Sequence, residues 1–308
     1  MKTSRLDRHA DDFGLTLQTT IDITDCIICD KLDSISVVPN MKQLSQCTAY
    51  WNEIQEKRRA QGKAVLSPAI SVHLNFVDGC SLEKTENVRL LVNDKGEFIT
   101  TWGSLFKSSF LYHKKRKAIK MQLKREIVSQ IERIKELFPN QKQLRIDSHQ
   151  HTHMIPIVAE SLIEVIDEQE YQVEFVRVSR EPLMPFLKTF SLYPTFKPIN
   201  LVKNIILNLL AFQLEKKLKK RNISYYLLWG LLMSGHMDEM RITKIMPVMF
   251  AYLERKGKKL ELLFHPGTAT KEEIQEEYMN PDAISFYLGE GRKIEYHGVM
   301  NLECSSLK

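Results

Sequence analysis

Short runs of alternating apolar and polar residues recur along the chain, separated by longer stretches with helical spacing. Residues 34–38, 69–76, 143–149, 173–178, 226–231 and 260–264 read as strands, with a further one at 4–10. The clearest helix is 115–138, where Ile119, Leu123, Ile127, Ile131, Ile134 and Phe138 share a face and Pro139-Asn140 ends the run. Helical spacing also marks 16–30, 157–168, 199–221 and 239–256, and Pro247 should kink the last of these or mark its true start. Strands alternating with helices imply βαβ units and a mostly parallel sheet. About seven strands with polar residues at their ends fit an α/β fold of the incomplete (β/α) barrel type better than an open sheet. No glycine-rich phosphate loop follows any strand, so a dinucleotide site has no support.

The strand faces carry more. In 69–76, Ile70, Val72, Leu74 and Phe76 oppose Ala69, Ser71, His73 and Asn75. Further on, Leu144 and Ile146 oppose Arg145, Asp147 and His149. A barrel strand packs one face on helices and turns the other inward, so His73, Asp147 and His149 are expected in one interior, near the strand ends.

Four patches concentrate acid and imidazole. His9-Ala10-Asp11-Asp12-Phe13-Gly14 sets two adjacent carboxylates at a strand end, suited to a metal ligand and a general base, although alone it is an ordinary turn. His73 alone would be read as structural. Asp147-Ser148-His149-Gln150-His151-Thr152-His153 spaces three imidazoles by two, a pattern that packing does not explain and metal ligation does. If the strand ends near His149, His151 and His153 are outer-shell or substrate-facing. Phe264-His265-Pro266-Gly267 leaves His265 at a strand end before a tight turn. Two histidines and one aspartate leave open positions on a metal, the pattern of a catalytic site. A remaining aspartate to take a proton and a separate histidine to give one suit hydrolysis of an amide or ester.

Composition narrows the class. The 308 residues suffice for a full core, and 43% hydrophobic with 27% charged residues is ordinary for a globular chain. A net charge of +6 is too weak for a dedicated nucleic-acid binder, and the basic clusters 113–117, 216–221 and 256–259 lack interleaved aromatics, so no nucleic-acid partner is expected. The longest uncharged stretch, 222–237, is too short and too polar to span a bilayer. The first residues lack the apolar core of a secretory signal, and five scattered cysteines suggest reduced thiols, so a cytoplasmic location is expected. Cys26-x-x-Cys29 lies on an expected helix and reads as buried helix residues.

Taken in order, His-Ala-Asp-Asp-Phe-Gly, Ser-Val-His-Leu, Asp-Ser-His-x-His-x-His-Met-x-Pro and His-Pro-Gly resemble the motifs of the YdjC-like carbohydrate deacetylases, including their hopanoid-biosynthesis-associated branch. Segments 36–40, 177–182 and 229–235 extend the likeness, which runs from about His9 to Gly267. The resemblance implies a barrel related to the glycoside hydrolase/deacetylase superfamily, filling 1–308 as one domain with a helical insertion near 186–221 and a short C-terminal tail near 285–308. It implies removal of acetyl from an N-acetylated sugar, with one divalent metal, usually magnesium, on Asp12, His73 and His149. Asp11 would be the base and His265 the acid, with Arg180 assisting at the oxyanion. Two imidazoles suit zinc or another transition ion equally. Hydrolysis of another amide or a phosphoester, and a non-catalytic carbohydrate-binding role, are the alternatives.

Two departures stand out. The family's first strand is apolar and ends Asn-Ala-Asp-Asp, whereas here it is polar with His9 in place of Asn, which predicts poor burial or a weakened barrel. Segment 199–221 is apolar on one side and basic at its end, so packing on the barrel or on a homodimer partner is expected there, with a peripheral membrane contact as the alternative.

Overall fold

The computed structural model describes residues 6–275 and 281–303. Residues 4 and 5 of the expected first strand, and Cys304, lie outside them. In chain order the first half runs β1 (Leu6–Phe13), α1 (Leu17–Ile28), β2 (Ser34–Val37), α2 (Leu44–Ala60), β3 (Ala69–Leu74), α3 (Trp102–Ser108), α4 (His113–Leu137) and β4 (Leu144–Ser148). Then come α5 (Pro156–Glu168), β5 (Val173–Val176), α6 (Met184–Leu187), α7 (Pro198–Lys219), β6 (Leu227–Trp229), α8 (Glu239–Lys256) and β7 (Leu260–Phe264). Three further helices, α9 (Lys271–Gln275), α10 (Pro281–Tyr287) and α11 (Glu290–Asn301), follow the last strand. Helix α8 runs through Pro247 and starts at Glu239, so the proline does not mark its start.

The seven strands are parallel and ordered β5-β4-β3-β2-β1-β7-β6. The sheet curls, but no strand ladder joins β5 to β6 among the described residues. Backbone bonds from Ser224 N to Glu174 O (3.1 Å), Val176 N to Ser224 O (3.1 Å) and Leu228 N to Arg180 O (2.8 Å) bridge that seam. The architecture is therefore an incomplete α/β barrel. Outside the sheet, Ile70, Val72, Leu74 and Phe76 join Leu123, Ile127 and Ile131 of α4 in the main apolar core.

Strand β1 corrects the expectation of poor burial: every residue in it except Asp7 is buried. Its polar side chains have partners on both faces. Outward, Arg8 Nε and Nη2 donate to Asp33 at 2.8 Å each. Inward, Arg145 Nη2 donates to Asp7 Oδ2 (2.6 Å), Ser34 Oγ donates to Asp7 Oδ1 (2.5 Å), and His9 lies 2.6 Å from both Ser34 Oγ and Ser36 Oγ. Glu261 of β7 and Arg177 beyond β5 extend this polar interior, where Nε of Arg177 donates to Glu261 at 2.5 Å. Barrels of this kind are usually filled by branched apolar side chains. Charge pairing fills the space here, and removing one partner leaves a buried charge uncompensated.

Of the CxxC pair, Cys26 is buried in α1 with its thiol pushed up to about 12 by burial, whereas Cys29 is exposed at the helix end, so only one of the two is a core residue. Gly230, after β6, sits at φ +149°, and a Cβ there would meet the Leu263 carbonyl oxygen at 2.6 Å.

The interior pairing predicts a non-additive mutant cycle. Arg145→Met should cost about 3–5 kcal/mol in urea unfolding by stranding Asp7. Adding Asp7→Asn should return a large part of the loss; a double variant as unstable as the sum of the singles would refute the pairing as the cause.

Candidate active site

Successive side chains of a strand point to opposite faces, so Asp11 and Asp12 cannot both enter the barrel from a regular strand. The β1–β2 register shifts between Ala10 and Phe13, and Asp12 takes φ 71°. This bulge brings both carboxylates to the strand end, the kind of distortion that recurs beside functional sites. After β4 the chain does something similar: Gln150 and His151 take φ 52° and 55°, which separates the three histidines. His149 turns toward Asp12, His151 sits half-buried with Nδ1 2.9 Å from Ser179 Oγ, and His153 turns into the protein between Ser148 Oγ and the Arg177 carbonyl. Burial pushes His153 down to about 4 and, with Arg177 nearby, His151 well below the usual imidazole range.

Asp12, His73 and His149 converge, with one donor atom from each lying within 4.8 Å of the others, and the three could hold a metal ion. Asp12 Oδ1 is 3.5 Å from His73 Nε2 and 3.1 Å from His149 Nδ1. Outer partners orient each group. His73 pairs in register with Asp147, whose Oδ1 lies 2.6 Å from its Nδ1, leaving Nε2 toward Asp12. This is the carboxylate–imidazole arrangement that fixes a metal-binding tautomer. His149 Nε2 is 2.6 Å from the Tyr287 hydroxyl, and Arg292 Nη1 donates to Asp12 Oδ2 at 2.8 Å. Asp78 is buried with no hydrogen-bond donor on either oxygen, and its Oδ2 lies 3.2 Å from His149 Nε2. Burial opposes protonation of both imidazoles, yet the facing carboxylates raise His73 to about 10 and His149 to about 9. The Asp12 carboxylate and the two oriented imidazoles fit a cation.

Asp11 lies beside this group with a different set of partners. Arg177 clamps it with two bonds, Nη1 to Oδ2 (2.8 Å) and Nη2 to Oδ1 (2.7 Å), and His9 Nε2 is 3.2 Å from Oδ1. Burial would raise Asp11, but Arg177 and His73 outweigh it and hold the carboxyl well below the usual range. Across the mouth, His265 Nε2 lies 3.9 Å from Asp11 Oδ2, while its Nδ1 lies 3.3 Å from Glu295 Oε2. Glu295 also accepts from the His265 backbone and from Gly235 N.

The structure thus gathers Asp11, Asp12, His73, His149 and His265, with His151 at their edge. It does not bring Arg180 among them: that guanidinium pairs with Glu215 of α7 at 3.0 Å. Strand parity gives the reason. Phe175 pairs with inward-facing Arg145, so Arg177 is in step with the interior and Arg180 is out of step. Sequence reading also missed Asp78, Tyr287, Arg292 and Glu295. The last three belong to α10 and α11, so the region expected as a short tail is part of the site's wall.

No curated protein matches the chain significantly. Among solved structures, a "putative cellobiose-phosphate cleavage protein" from Enterococcus faecalis V583 is similar, with a TM-score of 0.63 and 15% identity, covering 99% of this chain and 94% of that one. At that identity the likeness speaks for the fold. The model of the YdjC-like protein family matches residues 7–307, a span that takes in both aspartate patches, every histidine of the site and the C-terminal Arg292 and Glu295; the chain belongs to the YdjC-like protein family.

Proposed function

We propose that this protein is a metal-dependent carbohydrate deacetylase, hydrolysing the acetamide of an N-acetylated sugar to acetate and a free amine. The observation that carries this reading is the division of the adjacent aspartates: Asp12 faces two imidazoles, while Asp11 faces Arg177 and His265. Family membership supports the same class.

A divalent ion on Asp12, His73 and His149 would supply Lewis acidity toward the acetamide carbonyl. Around it, the chain's own groups handle the protons. Asp11, kept ionised and oriented by Arg177, takes a proton from the attacking water. His265, with Nδ1 held by Glu295 and Nε2 toward the mouth, delivers a proton to the departing amine. Half-buried His151, held by Ser179 at the edge of the group, would contact the sugar. A donor set of two imidazoles and one carboxylate suits zinc or another transition ion as well as the magnesium implied by family resemblance.

Acetate release should be measured over free, phosphorylated, nucleotide-linked and lipid-linked N-acetyl sugars with the metal varied. Phosphorylated disaccharides belong in the panel because the Enterococcus protein's name refers to one. Asp11→Asn and His265→Ala should each lower turnover by about 100-fold to 10,000-fold with the fold intact. Phosphate release from phosphosugars without acetate release would move the activity to phosphoester hydrolysis, and no hydrolysis with any metal would end the enzyme reading.

Metal affinity should rise with pH. Without an ion, His73 and His149 keep their protons up to about 10 and about 9, and ligation requires both neutral. Binding near neutral pH should therefore release protons, and affinity should climb about tenfold per pH unit for each proton released. Calorimetry in buffers of differing ionisation enthalpy reads the number; no proton release would remove the two histidines from the ligand set.

A further inference from the structure

Helix α7 is apolar on both faces. Its inward face carries Asn200, Asn204, Leu207, Ala211, Leu214, Glu215 and Leu218. Its outward face carries Leu201, Val202, Ile205, Leu209 and Phe212, all more than 40% exposed, with Leu209 at 72%. These five fall at helical spacing on one stripe, which Lys216 and Lys219 continue. Residues 204–214 contain no charge.

The orientation is fixed by polar bonds. Asn204 Nδ2 donates to Glu181 Oε2 (2.7 Å), Asn208 Nδ2 to the Glu181 carbonyl (2.9 Å), and Arg180 pairs with Glu215 (3.0 Å). Glu181 in turn accepts from the backbone N–H groups of Gly230, Leu231 and Leu232 at 2.8, 3.0 and 2.8 Å. Rotating α7 to hide its exposed leucines would break the bonds from Asn204, Asn208 and Glu215 and take one donor from the buried Glu181 carboxylate. The apolar stripe therefore faces outward as a consequence of the seam's own hydrogen bonding. The preceding segment adds exposed Met184, Leu187 and Phe190, the last at 73%. Leu183 and Ile205 line one cavity of about 330 Å³, which places that segment beside α7.

Charge selects the occupant. Segment 182–221 holds Lys188, Lys197, Lys203, Lys216, Lys217, Lys219, Lys220 and Arg221 against a single acid, Glu215, which is buried on Arg180. Arg221 is paired with Asp167, but a second copy placed face to face would oppose the exposed Lys216 and Lys219 of the stripe with no acid on that stripe to answer them. An anionic surface with an apolar interior answers both features, and no helix of the described residues is long and apolar enough to cross a membrane instead. Lys216 already shows the needed geometry, its stem lying along the stripe with Nζ 4.2 Å from the Phe212 ring centre.

We propose that α7 and the segment before it form a docking surface for an anionic lipid bilayer, on which the helix lies in the interfacial plane. The surface lies outside the β5–β6 seam and does not depend on the hydrolase reading. The test is flotation of the full-length protein with vesicles of phosphatidylcholine alone and of phosphatidylcholine mixed with phosphatidylglycerol. Partitioning should require phosphatidylglycerol and weaken at least about tenfold between about 0.1 M and about 1 M salt, as the screening length shortens. Lys216→Glu and Lys219→Glu should each weaken it about fivefold or more. Leu209→Asp with Phe212→Asp should abolish it while the circular dichroism stays unchanged, because both side chains are exposed in the fold. Absence of binding to phosphatidylglycerol vesicles overturns the proposal. So does a dimer in sedimentation velocity that Leu209→Asp dissolves, since the face would then belong to a second copy of the chain.

Discussion

The interior depends on the guanidinium of Arg177. It reaches Asp11 of β1 with two bonds, Glu261 of β7 with a third, and lies 3.4 Å from Asp147 of β4. Three buried carboxylates this close together would drive one another toward protonation without a cation between them. Arg177 follows β5, an edge strand, and its partner Glu261 lies on β7, beside the other edge. A side chain thus links the two sides of the gap from within, where only a few backbone bonds do so along the seam. The same group keeps Asp11 ionised and aimed, so the closure of the sheet and the electrostatics of the mouth share one cause.

Local distortion supplies the rest of the site. A regular β1 would aim Asp12 outward, away from His73 and His149; the bulge and its left-handed backbone reverse that. The turn after β4 spends the Asp147–His153 run on different tasks. Asp147 orients His73, His149 faces Asp12, and His153 is buried scaffolding. Three histidines at even spacing look equivalent in sequence only while the strand is assumed to continue.

Most of the sheet was legible because strand periodicity survives burial. His73, Asp147 and the outward row Ile70, Val72, Leu74 follow from alternation alone. Helix α2 was not read, since its buried face mixes Thr48 and Gln55 with Leu44, Cys47 and Trp51, which blurs the apolar stripe. The burial of the polar β1 is not legible in sequence, because its partners, Asp33, Ser34, Ser36 and Arg145, lie elsewhere in the chain and no local pattern announces them. Asp78, Tyr287, Arg292 and Glu295 were hidden for the same reason. Each is an ordinary polar residue until folding carries it against His149, Asp12 or His265.

The bond from Arg292 to Asp12 spans 280 residues of sequence. It ties the end of the chain to its first strand, as the β1–β7 ladder does. With α10 and α11 undocked, the barrel would keep its strand ladders yet lack Tyr287, Arg292 and Glu295 at the site. Asp12 would then lose the Arg292 guanidinium, with only His73 and His149 left facing it, and His265 would lose its orienting carboxylate. Anything that loosens α10 and α11 would therefore silence the site while leaving the sheet standing.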